Sequence, residues 1–252
     1  MSEPSKCVLS LAGFDPSGGA GILADCKTFE ACRVRGLGVC TALTYQSDNE
    51  FFGLRWCTQE EILSQLDPIL HRFSPKVAKI GIIENLTVLE VVIERLEHAG
   101  VECIVWDPVL KASAGFVFHD ALEVDELQNL LPRISLLTPN QEEFKMLKEN
   151  LGANFEGLPK ALLLKGSEGG INEVRDTLYI AGKLVQSWAH KKLVGSDKHG
   201  SGCVLSSAIA AYVASGASLE VACSHASDYI SSYLQSSDDL LGWHPGVQEE
   251  AL

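Results

Sequence analysis

Short apolar runs alternate with amphipathic stretches along nearly the whole chain, and this alternation limits the fold more than any single residue does. VLSLAG (8–13), LGVCTALTY (37–45), VAKIGII (77–83), VECIVWDPV (101–109), ISLLTPN (134–140) and ALLLKG (161–166) read as strands. Between them, 19–35 (Ile22, Leu23, Phe29 and Ala31 apolar), 58–72 (Ile62, Leu66, Ile69 and Leu70 on one face), 85–99 and 141–150 read as helices. Residues 177–190 read as a hairpin turning at Gly182-Lys183, and helices over 201–215 and 218–235 follow. Repeated βα alternation predicts a mostly parallel sheet with helices on both faces. The late hairpin predicts an antiparallel margin on it. A chain of 252 residues fits one domain, 1–252, with a frayed tail after Gly242.

Composition removes several classes of function. Hydrophobic residues make up 46% and charged residues 21%, a globular balance. No apolar run reaches the roughly 18 residues of a membrane span, and MSEPSKCVLSLAG lacks a signal-peptide pattern. A net charge of -13 repels nucleic-acid backbones. An anionic nucleotide then needs local N–H groups and a few placed cations. Eight cysteines with no C-x-x-C pair read as reduced thiols in the cytoplasm, mostly small buried hydrophobes.

In such a sheet ligands bind beyond the C-terminal strand ends. Those ends carry GFDPSGGAG, YQSDN, GIIEN, DPVLKASAG, TPNQEE and KGSEGG, one composite site along one edge. Gly13, Gly18, Gly19 and Gly21 read either as a substrate cradle or as a tight strand-to-helix turn. No Walker A lysine follows. Gly19-Ala20-Gly21-Ile22-Leu23-Ala24 matches G-x-G-x-x-A, with Asp48 further on, but Asp15-Pro16-Ser17 separates it from the strand. Asp25 reads as a partner of the helix dipole or of a polar substrate group.

His199-Gly200-Ser201-Gly202-Cys203 opens a helix whose apolar side holds Val204, Leu205, Ala208, Ile209, Tyr212 and Val213. A small-residue turn at a helix start presents free N–H groups to an anion, such as a transferring phosphoryl group. The same dipole is expected to lower the Cys203 thiol pKa, so that a thiolate takes a hydroxyl proton. A structural Gly-rich turn with a buried cysteine is the other reading. Asn140 and Glu143 read as an N-cap with first-turn acids or as holders of a hydrated Mg²⁺, with Asp107 as a second partner through water. Lys165 reads as a phosphate contact or a solvated strand end, with Lys111 and Lys198 as weaker cations. No histidine spacing fits zinc, and no G-x-S-x-G elbow occurs.

In order, GFDPSGGAGILADCKTF, TALTYQ, KIGI, DPVLKASAG, LTPNQEE, LLLKG and HGSGCVLSSAIAA resemble the hydroxymethylpyrimidine/phosphomethylpyrimidine kinases of thiamine biosynthesis, from about residue 7 to about residue 235. That family is ribokinase-like, near the pyridoxal kinases. The resemblance implies a three-layer α/β/α sandwich. It implies an enzyme that uses ATP with Mg²⁺ to phosphorylate 4-amino-5-hydroxymethyl-2-methylpyrimidine and then its monophosphate, and it leaves a monovalent cation open. It implies an anion hole at Gly200, Ser201 and Gly202 and a base at Cys203. Ala20, Asp25, Gln46, Ile82 and Val109 would form the pyrimidine pocket. Asp107, Asn140 and Glu143 would serve magnesium and phosphate, with Lys165 and His199 at the nucleotide. It also implies a homodimer. Ile82 stands where the family has methionine, Ser167-Glu168-Gly169-Gly170 where it has Gly-His, and Asp197-Lys198 where it has Asn-Thr; the segment 150–160 is short. The rival readings are a pyridoxal kinase on the same scaffold, a dinucleotide oxidoreductase and a non-catalytic ligand binder.

Overall fold

The computed structural model describes residues 6–109, 124–152, 155–169, 173–191 and 198–245. In chain order the elements are β1 (Cys7–Phe14), α1 (Gly21–Ala31), β2 (Arg35–Gln46), β3 (Phe51–Trp56), α2 (Gln59–Phe73), β4 (Val77–Ile80), α3 (Leu86–His98), β5 (Cys103–Trp106), α4 (Val124–Leu130), β6 (Leu136–Leu137), α5 (Gln141–Leu151), β7 (Ala161–Glu168), β8 (Glu173–Ile180), β9 (Lys183–Lys191), α6 (Ser201–Ala214) and α7 (Leu219–Leu234). Among the described residues the strands form one sheet in the order β3-β2-β1-β4-β5-β6-β7-β8-β9. The run from β2 to β7 is parallel, while β3, β8 and β9 pair antiparallel.

The sheet is the middle of three layers because successive side chains on a strand point to opposite faces. Leu9, Leu11, Ala78, Ile80, Ile104, Trp106, Leu137 and Leu162 pack against α2, α3, α4 and α5. Val8, Val77, Val105, Leu136, Ala161 and Leu163 pack against α1, α6 and α7. The α/β sandwich and the late hairpin therefore stand as the sequence reads them.

The differences have local causes. The second antiparallel margin, β3, is a short edge strand with Gly53 inside it, and a tight turn closed by Ser47 N–H on the Glu50 carbonyl (2.9 Å) folds it onto β2. Strands β4, β5 and β6 stop before their apolar runs do, because the chain leaves the ladder while its side chains stay buried; Ile83 is 3% exposed. Helix α1 ends at Ala31, and Arg33 then takes a left-handed φ of 58°. The expected fraying after Gly242 does not hold for the next residues. Gly242 lies against the Tyr233 ring, and the His244 Nδ1 atom sits 2.9 Å from the Tyr229 hydroxyl. No described helix is long and apolar enough to cross a membrane.

Leu89 on α3 is fully buried and Leu184 on β9 is 62% exposed. Leu89→Ala is expected to cost about 2–5 kcal/mol in urea unfolding, whereas Leu184→Ala stays within about 0.5 kcal/mol.

Candidate active site

The sheet face under α1 and α6 changes from apolar to polar at its C-terminal edge, strand by strand. Two residues beyond Val8, Val77, Val105 and Leu163 stand Ser10, Lys79, Asp107 and Lys165. The alternation that buries the first set aims the second set at the same helices. Ser10, Lys79 and Asp107 are at most 1% exposed. A charge so deeply buried requires a partner, and each has one. Lys79 Nζ lies 2.9 and 2.8 Å from the two oxygens of Asp25 on α1, which also accept from Ser10 (2.5 Å) and Ser207 (2.7 Å). Lys165 Nζ lies 2.6 Å from Asp107 Oδ1, which also accepts from Thr138 (3.0 Å), and Ser206 reaches Asp107 Oδ2 at 3.1 Å. Two ion pairs thus brace the second turn of α6 through adjacent serines.

Above them, the starts of α1 and α6 meet. Thr58, Asn85, Asn140 and Ser218 cap α2, α3, α5 and α7 with their side chains. At α1 and α6 the cap residues are Ala20 and Gly200, and no side chain caps either end. The Ser201 N–H returns to the Lys198 carbonyl (3.2 Å) and the Val204 N–H to Gly200 (3.0 Å). The N–H groups of Gly202 and Cys203 between them have no partner among the described residues. A helix start with free N–H groups attracts anions. Gly200 has φ 74°, and a Cβ there would lie 2.0 Å from the Gly19 carbonyl oxygen. Only glycine lets the two helix starts come this close. At Gly202 a Cβ would sit 3.2 Å from Lys165 Nζ, so the missing side chain leaves that ammonium next to the turn.

Cys203 lies partly exposed in the first turn of α6. The expectation of a lowered thiol pKa fails. Burial pushes it above the ordinary value, Asp25 and Asp107 add to the rise, and Lys79 and the Gly21 N–H oppose it without prevailing. Burial also works against the charges of Lys79 and Lys165. Asp25 and Asp107 respectively outweigh it and hold both lysines above the ordinary lysine range.

Asp15, which the sequence reading did not single out, organises the loop after β1. It is 1% exposed and accepts from the N–H groups of Ser17 and Ala20, both at 2.9 Å. His199 Nε2 stands 2.9 Å from Asp15 Oδ2 and donates to it, since a carboxylate only accepts. Burial would raise the Asp15 pKa, but these hydrogen bonds prevail and hold it below the usual carboxylate range. The segment after α7 closes over this join. Lys198 Nζ binds the Ser237 carbonyl (2.5 Å), its hydroxyl (2.8 Å) and the Asp239 carbonyl, and the His199 N–H binds the Leu240 carbonyl (2.9 Å).

The remaining sequence-predicted residues fall into groups. Ile82 and Thr44 approach Gly13, and Gln46 Nε2 donates to the Thr44 hydroxyl (2.9 Å), so Gln46 and Ile82 flank the end of β1. Val109 stands just past β5, with its N–H on the Asp107 carbonyl (2.8 Å). Asn140 and Glu143 form a reciprocal cap at 2.9 and 2.8 Å, and Asn140 bridges to Lys165. Asp25 is turned into the buried layer, fully engaged by protein groups. His199 and Lys198 hold loops together. Lys111, with most of DPVLKASAG, and Gly170 lie outside the described residues. Sequence reasoning missed Lys79, Ser206 and Ser207; the one signal was a lysine inside the apolar run VAKI.

Among known proteins, the family model described as phosphomethylpyrimidine kinase matches residues 15–247. A hydroxymethylpyrimidine/phosphomethylpyrimidine kinase of Aquifex aeolicus (strain VF5) is 33% identical over 92% of this chain and 95% of its own length. One from Escherichia coli (strain K12) is 30% identical over 92% of each. Among solved structures, an ADP complex of Bacillus subtilis pyridoxal kinase superposes with a TM-score of 0.82 at 23% identity, over 96% of this chain and 98% of that one. A phosphomethylpyrimidine kinase from Clostridium difficile 630 gives 0.72 at 27% identity, over 90% and 99%.

Gly200→Ala is expected to lose about 1–3 kcal/mol from the left-handed backbone alone, and more from the clash with Gly19. Thermal unfolding measures the loss.

Proposed function

The chain belongs to the phosphomethylpyrimidine kinase family, and on that premise we propose that it transfers the γ-phosphoryl group of ATP to the hydroxymethyl oxygen of 4-amino-5-hydroxymethyl-2-methylpyrimidine, and then a second phosphoryl group to the monophosphate. The observation that carries the reading is the meeting of two uncapped helix starts beside Cys203. Phosphoryl transfer asks for little from a protein except position and fixed positive potential. The N–H groups of Gly202 and Cys203, with Lys165 beside them, supply that potential for the equatorial oxygens.

In the first step the hydroxymethyl oxygen bonds to the γ-phosphorus, and the bond to the ADP oxygen breaks with its electron pair leaving on ADP. The hydroxyl proton passes to Cys203 Sγ. Ala20, Gln46, Ile82 and Val109 line the ring, with Asp25 behind them. Gln46 offers both a donor and an acceptor to an aminopyrimidine edge. Asn140, Glu143 and Lys165 serve the nucleotide phosphates, and His199 fixes the turn that receives them.

Among the described residues no group of three or more His, Cys, Asp or Glu stands ready for a bare metal ion. The donors Asp107, Asn140 and Glu143 instead fit a hydrated Mg²⁺ carried in on ATP, which needs only one or two carboxylates. That ion would neutralise charge on the β- and γ-phosphate oxygens. The proposal takes the chain as one kinase domain, cytoplasmic and homodimeric, with Tyr45 (54% exposed) and Phe52 (69%) on the β2–β3 ribbon as apolar surface for a second copy. A monovalent cation is part of it by family likeness.

Pyridoxal is the alternative acceptor, favoured by the likeness to pyridoxal kinase structures. At 23% identity that likeness speaks for the scaffold, whereas the curated relatives are pyrimidine kinases. A coupled ADP-release assay across the hydroxymethylpyrimidine, its monophosphate and pyridoxal separates the readings. Preferred turnover of the two pyrimidines is expected, and a strong preference for pyridoxal would sink the first reading.

Cys203→Ala is expected to lower kcat by about 10²–10⁴-fold while the KM for ATP changes little. Because the thiol pKa lies above its ordinary value, the reactive thiolate is a minor form at neutral pH. In the unmodified enzyme kcat/KM should then climb about tenfold per pH unit through pH 7–9. A flat profile there, or near-full turnover by the alanine variant, removes the base assignment.

A further inference from the structure

Lys79 has no place in the chemistry described so far, yet it is the most deeply buried cation in the layer beneath the anion-binding turn. It is 0% exposed. A buried ion pair is weak support for stability, since taking both charges out of water offsets most of their attraction. A pair of hydrophobic residues would fill the same space, so the presence of the charge invites a role.

Its surroundings point to one. Asp25 fixes the ammonium with two contacts at 2.8 and 2.9 Å, and Ser10 and Ser207 fix Asp25. Ser207 lies one helical turn after Cys203, on the same side of α6. The face of α6 that carries the Cys203 thiol is therefore the face that reaches the Asp25–Lys79 pair. Lys79 Nζ also comes within 3.3 Å of where a Cβ on Gly81 would stand, at the end of β4, on the ligand side of the sheet. The charged and titratable groups that face the thiol are Asp25 from α1, Lys79 from β4, Asp107 just past β5, Lys165 from β7 and the neutral Tyr233 hydroxyl from α7. Of the two lysines, Lys165 pairs with Asp107, whereas Lys79 pairs with Asp25, which Ser207 reaches from the Cys203 side of α6.

We infer that Lys79 is a positioning residue for phosphoryl transfer: its ammonium, tethered by Asp25, holds fixed positive charge behind Cys203 Sγ and so keeps the thiolate within reach of the substrate hydroxyl. The inference rests on the reading of Cys203 as proton acceptor. Lys79 touches neither substrate nor nucleotide; it acts through the sulfur, and Asp25 acts through Lys79.

The test reads the thiol directly. Full-length protein is alkylated with iodoacetamide across pH 6–10, and modification of the Cys203-containing peptide is followed by mass spectrometry. Lys79→Met is expected to move the Cys203 alkylation curve up by about one pH unit, which slows modification at pH 8 by about tenfold. Lys79→Arg, which keeps the charge, is expected to leave the curve in place. Should Lys79→Met fail to fold by circular dichroism, the double variant Lys79→Met/Asp25→Asn removes both charges together, and a smaller upward movement is expected. An unmoved or lowered curve in whichever of these folds overturns the inference. So does an Arg variant that shifts as far as the Met variant, which would leave packing as the cause. Full turnover by Cys203→Ala would overturn the base reading instead, without touching the alkylation result.

Discussion

Two helices start face to face, and the site depends on how the chain makes that tolerable. Each helix start carries about half a positive charge, and neither α1 nor α6 softens its own with a side-chain cap. Left alone, the two ends would repel. The backbone at Gly200 permits the contact, and three buried carboxylates stand around it: Asp15 at the loop after β1, Asp25 on α1 and Asp107 past β5. Their own charges are met respectively by the His199 N–H, Lys79 and Lys165. The result is a junction held together by protein charges, in which the Gly202 and Cys203 N–H groups have no partner among the described residues.

The balance explains why a simple dipole argument misjudges Cys203. A helix start favours a thiolate. Here, however, burial works against the thiolate, and the sulfur also feels two carboxylates that serve other partners. The protein has arranged strong anion attraction at the backbone and weak thiol acidity a few atoms away.

Much of this was legible in the sequence wherever the signal is local. A small-residue turn before an apolar helix can be read within five residues, and so can the reciprocal cap of Asn140 and Glu143. Period-2 and period-3.6 patterns gave the order of strands and helices. The margin β3 escaped because a short edge strand with an internal glycine carries no alternation. Lys79 escaped for a different reason. A lysine in VAKI means little alone; it becomes one of a row with Ser10, Asp107 and Lys165 only when the strands lie in register. Partnerships such as Asp15 with His199 span most of the chain and leave no trace in local pattern.

The strap from Ser236 to His244 carries a consequence for the timing of assembly. The central strands and most helices are made from residues that leave the ribosome early, and they can pack while synthesis continues. Lys198 and His199, which anchor the turn before α6, find their backbone acceptors only in residues 237–240. The turn before α6 therefore gains these anchors only from chain that follows every described strand of the sheet. A chain clipped near Leu234 keeps its hydrophobic layers and the Asp15–His199 and Asp25–Ser207 bonds between the two helices, but loses the backbone acceptors that hold Lys198 and His199 from outside.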